Sequence, residues 1–144
     1  MKNMTTKNNK YNARKTKFRG MVFDSRKEFK RFLYLQFLEK KGIISQLRRQ
    51  VKFQIIPPLY VARAVNHAKT TRIKSSLIDS PAYYTCDFLY RENGRIIIED
   101  VKSAETARLK DYILRRKLMI RIIARHNARR GHDTFEFREN GFSH

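Results

Sequence analysis

Three polar residues in the middle of the chain are spaced as a metal-dependent reaction would need them: Asp87, Asp100 and Lys102. They flank Asn93-Gly94, which joins the β-prone run Tyr84–Tyr90 to Arg95–Lys102. Asn-Gly between two such runs is a strong hairpin signal. With Asn93-Gly94 as the two-residue turn, Glu92 faces Arg95, Asp87 faces Asp100 and Thr85 faces Lys102. Strand side chains alternate between faces, so Asp87, Asp100 and Lys102 project from one side. Two carboxylates directly opposite each other destabilise a sheet, and a cation held between them reverses the sign of that interaction. The pattern points to divalent-metal chemistry with an ammonium beside it. The plainer alternative is an exposed hairpin with scattered charges, and a three-residue loop would shift the register and separate the pair.

The elements that must position these residues can be read outward from the hairpin. Ser25-Arg26-Lys27-Glu28 has the form of a capping box, opening a helix that Gly42 closes. Phe29, Phe32, Leu33 and Phe37 recur at helical spacing along it, with Tyr34, Leu35 and Leu38 broadening the apolar face. Leu47, Arg49, Val51, Phe53 and Ile55 then alternate with polar residues as a strand, ended by Pro57-Pro58. Val61–Val65 reads as a short helix or a strand extension, and Ala68–Ser80 as a long basic loop. After the hairpin, Glu105 to about Ala128 reads as one helix with Leu109, Tyr112, Ile113, Ile120 and Ile123 buried. Gly131 stops it before a short strand, Thr134–Arg138. The order is helix, strand, strand, strand, helix, strand.

Composition names the partner. The 144 residues carry 33 Lys plus Arg against 13 Asp plus Glu, a formal charge of +20. Folding does not require that imbalance, and self-repulsion opposes it. A polyanion explains it, nucleic acid first and an anionic membrane second. No apolar run is long enough for a membrane span, and the polar, basic start lacks a signal peptide's apolar stretch. The single cysteine, Cys86, excludes an internal disulfide or a Cys-cluster zinc site and reads as a small core residue, which suits a reducing cytoplasm. Residues 1–20 hold seven Lys or Arg and no acid, the composition of a flexible basic arm ahead of one domain over 21–144. Lys10, Arg14, Lys15, Lys17 and Arg19 on the arm, with Arg115, Arg116, Lys117 and Arg121 on the second helix, are the candidate phosphate contacts. A solvated basic surface is the alternative for both sets. His67, His126, His132 and His144 show no metal-ligand spacing and read as surface residues.

The element order, with an Asp on the second strand and Asp-Val-Lys on the third, resembles the PD-(D/E)XK nuclease superfamily. Lys10–Thr16, Phe23–Glu28, Tyr84–Phe88, Glu99–Ser103 and Tyr112–Leu118 are more specifically similar to one small phage and prophage family of proposed endonucleases, long filed as a domain of unknown function. Cys86 and Ser103 stand where that family leads one to expect Ala and Gly, and the 59–82 segment is longer than expected. The resemblance implies an α/β, restriction-endonuclease-like αβββαβ core, a mixed central sheet flanked by helices. It further implies a Mg²⁺-dependent DNA endonuclease, with Mn²⁺ able to substitute, acting in the host cytoplasm on branched DNA in the manner of a Holliday-junction resolvase, and working as a homodimer. Asp87 and Asp100 would be the metal-binding carboxylates and Lys102 the signature lysine. Glu28 would be a further catalytic and metal-binding acid, although the third helical position is also where a capping-box Glu reaches back to the cap. Gln50 lines the same site from the first strand or faces solvent. Against the enzyme stand a non-catalytic nucleic-acid-binding module on the same fold and a structural RNA-binding protein.

Overall fold

The structure, a computed structural model, describes residues 15–144. Its elements are β1 (Thr16–Phe18), β2 (Met21–Phe23), α1 (Arg26–Lys40), β3 (Ser45–Ile56), β4 (Leu59–His67), β5 (Thr70–Asp79), β6 (Ala82–Glu92), β7 (Arg95–Asp100), α2 (Ala104–Ala107), α3 (Lys110–Arg130), β8 (Phe135–Glu139) and β9 (Phe142–Ser143). A five-stranded sheet of order β3-β6-β7-β8-β9 forms the centre. All its pairs are antiparallel except β7 with β8, which α3 connects in parallel. The fold is therefore α/β with a mixed central sheet, and α1, β3, β6, β7, α3 and β8 follow the expected helix-strand order.

Each face of the sheet carries one helix and one core. Ile97 and Ile98 are adjacent on β7 and so face opposite sides. Ile97 packs with Phe23, Phe32, Leu35, Phe88 and Tyr90 under α1. Ile98 packs with Tyr84, Cys86, Tyr112, Met119, Ile123 and Phe137 under α3. Cys86 is a fully buried member of that second core, and burial pushes its thiol up to about 12.

Local chemistry sets the helix ends. The Ser25 side chain accepts from Glu28 N at 3.0 Å. At the other end Gly42 N donates to Glu39 O and Ile43 N to Leu38 O, both at 3.0 Å, the paired bonds of a Schellman ending in which Gly42 takes φ +71°. The buried stripe is Glu28, Phe32 and Leu35, flanked by Phe29 and Leu38. Leu33 and Phe37, expected inside, are exposed. An apolar surface wider than one sheet can cover leaves some of its residues outside.

Three further expectations are corrected. The basic arm does not extend to residue 20, because Thr16–Phe18 and Met21–Phe23 form a hairpin around Arg19-Gly20 and Phe18 packs against the α1 core. The single helix over 105–128 is two, α2 and then α3, with Leu109 as the α3 N-cap residue. Ala68–Ser80 is no loop: β4 and β5 pair antiparallel around Ala68-Lys69 as a separate two-stranded ribbon. Every residue of β4 is exposed, so no inward-facing alternation marked it as a strand. Among the described residues no helix is long and apolar enough to cross a membrane.

Candidate active site

The hairpin turn forms as its residues require, with Asn93 and Gly94 at φ +49° and +79°. Glu92 pairs with Arg95, and the expected register holds as far as Phe88 with Glu99. One step further, side chains replace the ladder. Val101 N donates to Asp87 Oδ2 at 2.8 Å, and Asp87 N donates to Asp100 Oδ1 at 3.2 Å. The two aspartates are thus locked to each other's backbones. Lys102 Nζ lies 3.2 Å from Asp87 Oδ2 and 3.3 Å from Asp100 Oδ1, so its ammonium occupies the cation position between the acids. It also lies 5.3 Å from the centre of the Tyr112 ring, a favourable contact for a cation.

A reversal in the sheet explains why Asp87 and Gln50 meet here. On β3, Leu47 packs with the α1 core, whereas Val51, Phe53 and Ile55 pack with the α3 core. On β6, Cys86 belongs to the α3 core and Phe88 to the α1 core. Both strands therefore exchange faces between these positions, at Gln50 and Asp87. Gln50 absorbs the change with φ +52°, a left-handed conformation that a non-glycine residue adopts at some energetic cost. Its Nε2 donates to Asp87 Oδ1 at 3.3 Å and to Glu28 Oε1 at 3.4 Å. Gln50 meets both readings: it is exposed to solvent, and its amide reaches Asp87 and Glu28.

Glu28 divides its two oxygens. Oε2 accepts from Asp24 N at 2.9 Å, a capping role one residue beyond the expected partner. Oε1 faces Gln50 and Arg49 Nη2, the latter at 3.3 Å. The Arg49 guanidinium stacks 3.8 Å from the centre of the Phe23 ring. Glu28 thus reaches Asp87 through Gln50.

Burial and like charge dominate the electrostatics. Burial lifts the Asp100 carboxyl to about 6, with Asp87 adding to the lift and Lys102 opposing it. Burial raises Glu28 in the same way, reinforced by Asp87 and opposed by the Asp24 amide and Arg49. For Lys102 burial acts downward, but Asp100 and Asp87 outweigh it and hold the ammonium above its ordinary value. Tyr84 OH donates to Asp100 Oδ2 and is raised well above the usual phenol range by burial and by that carboxylate.

Oxygen donors of this kind suit a hard cation. Among the described residues no three His, Cys, Asp or Glu side chains converge into a cage of their own. That leaves a buried aspartate pair, and Mg²⁺ is commonly held by one or two carboxylates plus waters and substrate oxygens. Burial and, after it, the neighbouring Asp87 lift Asp100, and a divalent ion would offset both, so the donor set fits.

Other residues support the cluster and were not singled out from the sequence. Asn140 N donates to Asp100 O at 2.8 Å. The Asn140 side chain accepts from Lys102 N at 3.0 Å and donates to Lys102 O at 3.1 Å. Asn140-Gly141 is a second Asn-Gly turn, between β8 and β9, and that dipeptide was the available signal. Of the expected phosphate contacts, Lys17, Arg19, Arg115, Lys117 and Arg121 are exposed. Lys15 is exposed too and lies 3.8 Å from Asp24. Arg116 is half-buried and paired with Glu139 at 2.8 Å, to which Tyr112 also donates, so it ties α3 to β8. Lys10 and Arg14 lie outside the described residues. A concavity of about 660 Å³ between α3 and β8 contains none of the cluster. An enclosed pocket is not what a polynucleotide backbone needs.

No curated protein and no solved structure matches the chain. Residues 8–127 match the family described as "Protein of unknown function (DUF1064)", a span that includes Glu28, Gln50, Asp87, Asp100 and Lys102 and most of the molecule. The chain is therefore a member of that family, DUF1064, the proteins of unknown function.

Proposed function

We propose that the protein is a Mg²⁺-dependent DNA endonuclease with Asp87, Asp100 and Lys102 at its centre and Glu28 and Gln50 beside them. The observation that carries this reading is an ammonium shared by two buried, mutually repelling carboxylates on a chain of charge +20. A protein that only bound nucleic acid would gain nothing from paired acids on a basic surface, because they repel phosphate. The PD-(D/E)XK likeness adds support from the same residues, and it alone brings in branched DNA and a phage setting.

The reaction is attack of water on phosphorus with loss of the 3′ or 5′ alkoxide, which takes up a proton. Bound Mg²⁺ supplies charge neutralisation at phosphorus and acidifies water. The chain's own groups do the rest. Asp87 and Asp100 present oxygens fixed by the Val101 and Asp87 amides, and Tyr84 sets the rotation of Asp100. Lys102 remains protonated between them, a donor to the phosphate or to the attacking water and not a base. Gln50 holds Asp87 and Glu28 in one plane of approach.

The test is incubation of the purified protein with labelled four-way junction, nicked, flap and linear duplex DNA, with Mg²⁺, Mn²⁺ or EDTA. Cutting that needs the metal and disappears in Asp100→Asn and Asp87→Asn supports the proposal. Tight binding without cutting under either metal returns the protein to a nucleic-acid-binding module.

A further inference from the structure

The β4–β5 ribbon stands apart from everything described so far. Among the described residues neither strand packs to any extent on another element, and an isolated two-stranded hairpin is marginal in water. Its composition makes it less stable still. Arg63 is directly opposite Lys74, and Arg72 is opposite Val65. By alternation these three cations share one face, while Tyr60, Leu77 and Ile73 lie on the other. That alternation is visible in Thr71 Oγ1 donating across the ribbon to Asn66 Oδ1 at 3.0 Å. Lys69 sits at the tip, and the only acid over residues 59–79 is Asp79 at the base. Like charges opposite each other repel, and nothing in the ribbon offsets them.

The ribbon is also jointed. β3 pairs with β6 up to Ile56 with Ala82, and β4 pairs with β5 from Leu59 with Asp79. Between these pairs lie Pro57-Pro58 on one strand and Ser80-Pro81 on the other, which accounts for all three prolines of the chain. Proline has no N–H to give the ladder, so the hairpin that carries Gln50 and Asp87 is interrupted on both strands at one level.

We propose that this ribbon is an arm that grips the DNA duplex beside the cleavage site, its Arg63, Arg72 and Lys74 face lying along the phosphates. A two-stranded ribbon has the width of the major groove. Nine residues extend about 30 Å, close to the roughly 34 Å of one duplex turn. The five residues from Ala82 to Asp87 place the base of the arm about 17 Å along the strand from the acids. The choice of DNA rests on the nuclease reading above, while the arm's role in binding is measured independently of cutting.

The test uses the full chain carrying Asp100→Asn, without metal, and a 30-bp duplex read by fluorescence anisotropy from 50 to 300 mM salt. Arg63→Gln, Arg72→Gln and Lys74→Gln together are compared with Lys40→Gln, Lys41→Gln and Arg130→Gln, the same charge removed elsewhere. Removing three phosphate contacts lowers the slope of log affinity against log salt by about 3. We expect that drop, with at least about a tenfold loss of affinity at the lower salt concentrations, for the arm set alone. Equal losses from both sets, or none from the arm set, overturn the proposal. It is likewise overturned if sedimentation shows a dimer that Ile73→Ser with Leu77→Ser dissolves while the arm set binds DNA normally, because the ribbon would then serve a second copy of the chain. Failure of the wild-type protein to cut DNA would defeat the nuclease reading and leave this result standing.

Discussion

Glu99 and Asp100 are neighbours on β7, 0% and 1% exposed, and they face opposite layers of the protein. Toward α1, Glu99 is gripped by the Arg31 fork at 2.6 and 3.0 Å and accepts from Tyr90 OH at 2.6 Å. Toward α3, Asp100 shares a single ammonium with a second acid. A planar guanidinium gives its whole charge to one carboxylate, whereas Lys102 divides a single positive charge between two acids. The same degree of burial thus yields a carboxylate with a guanidinium of its own on one face and a carboxylate that shares its counter-charge on the other. Charge satisfaction, not burial, separates the two.

Substitutions can break that comparison at either residue. The largest effect is expected from Asp100→Asn, which should lower metal-dependent cleavage about a thousandfold, roughly 4 kcal/mol of barrier, with the melting temperature held or raised. Single-turnover cleavage alongside thermal melting checks both halves, and comparable losses of activity and stability would place Asp100 with Glu99. Glu99→Gln should do the reverse. It leaves the half-buried Arg31 without its counter-charge, and breaking a fully buried pair destabilises by about 3–5 kcal/mol, so a loss toward the lower end is expected, measurable by urea unfolding.

The pH dependence sharpens the contrast. Asp100 is an acid raised in the folded state to about 6. The folded protein therefore binds that proton more tightly than the unfolded chain does. Its contribution to stability is present below the unfolded value near 4 and is lost as pH rises through about 6. Burial raises Glu28 in the same direction, while Glu136, held down to about 2 by Arg138, loses its contribution only in stronger acid. The metal-free protein should accordingly melt higher at pH 5 than at pH 7, and Asp100→Asn should flatten the difference. Millimolar Mg²⁺ should raise the melting temperature at pH 7 more than at pH 5; equal shifts would argue against binding at this pair. The smallest effect is expected at Gln50→Gly. It relieves a left-handed backbone, gaining up to about 1 kcal/mol, and removes the amide that joins Glu28 to Asp87, lowering cleavage by about tenfold.

Much of this architecture was legible because it depends on short-range rules. Asn93-Gly94 dictated the register that brings Asp87 to Asp100, since only residues tolerant of positive φ close so tight a turn. Ser25, Gly42 and Gly131 marked helix ends through bonds to backbone groups a few residues away. The ribbon was only partly legible: Val61–Val65 read as a helix or a strand extension, and with every β4 residue exposed no buried face decided between them. The Arg116–Glu139 pair was not legible for a related reason: a basic residue on a basic helix looks solvated until a buried acid from another strand is placed beside it.

The types and order of the acids, the hairpin that opposes them and the charge that calls for a polyanion are all properties of the chain read in one dimension. Tertiary structure decided which of those groups are held and which remain available. Arg31 reaches Glu99 across 68 residues, and Asn140 fastens the backbone of Lys102 across 38. Gln50 enters the site only because the two strands exchange faces where it stands. Local rules act over a few bonds, whereas the balance of charge at a buried acid depends on every element packed around it.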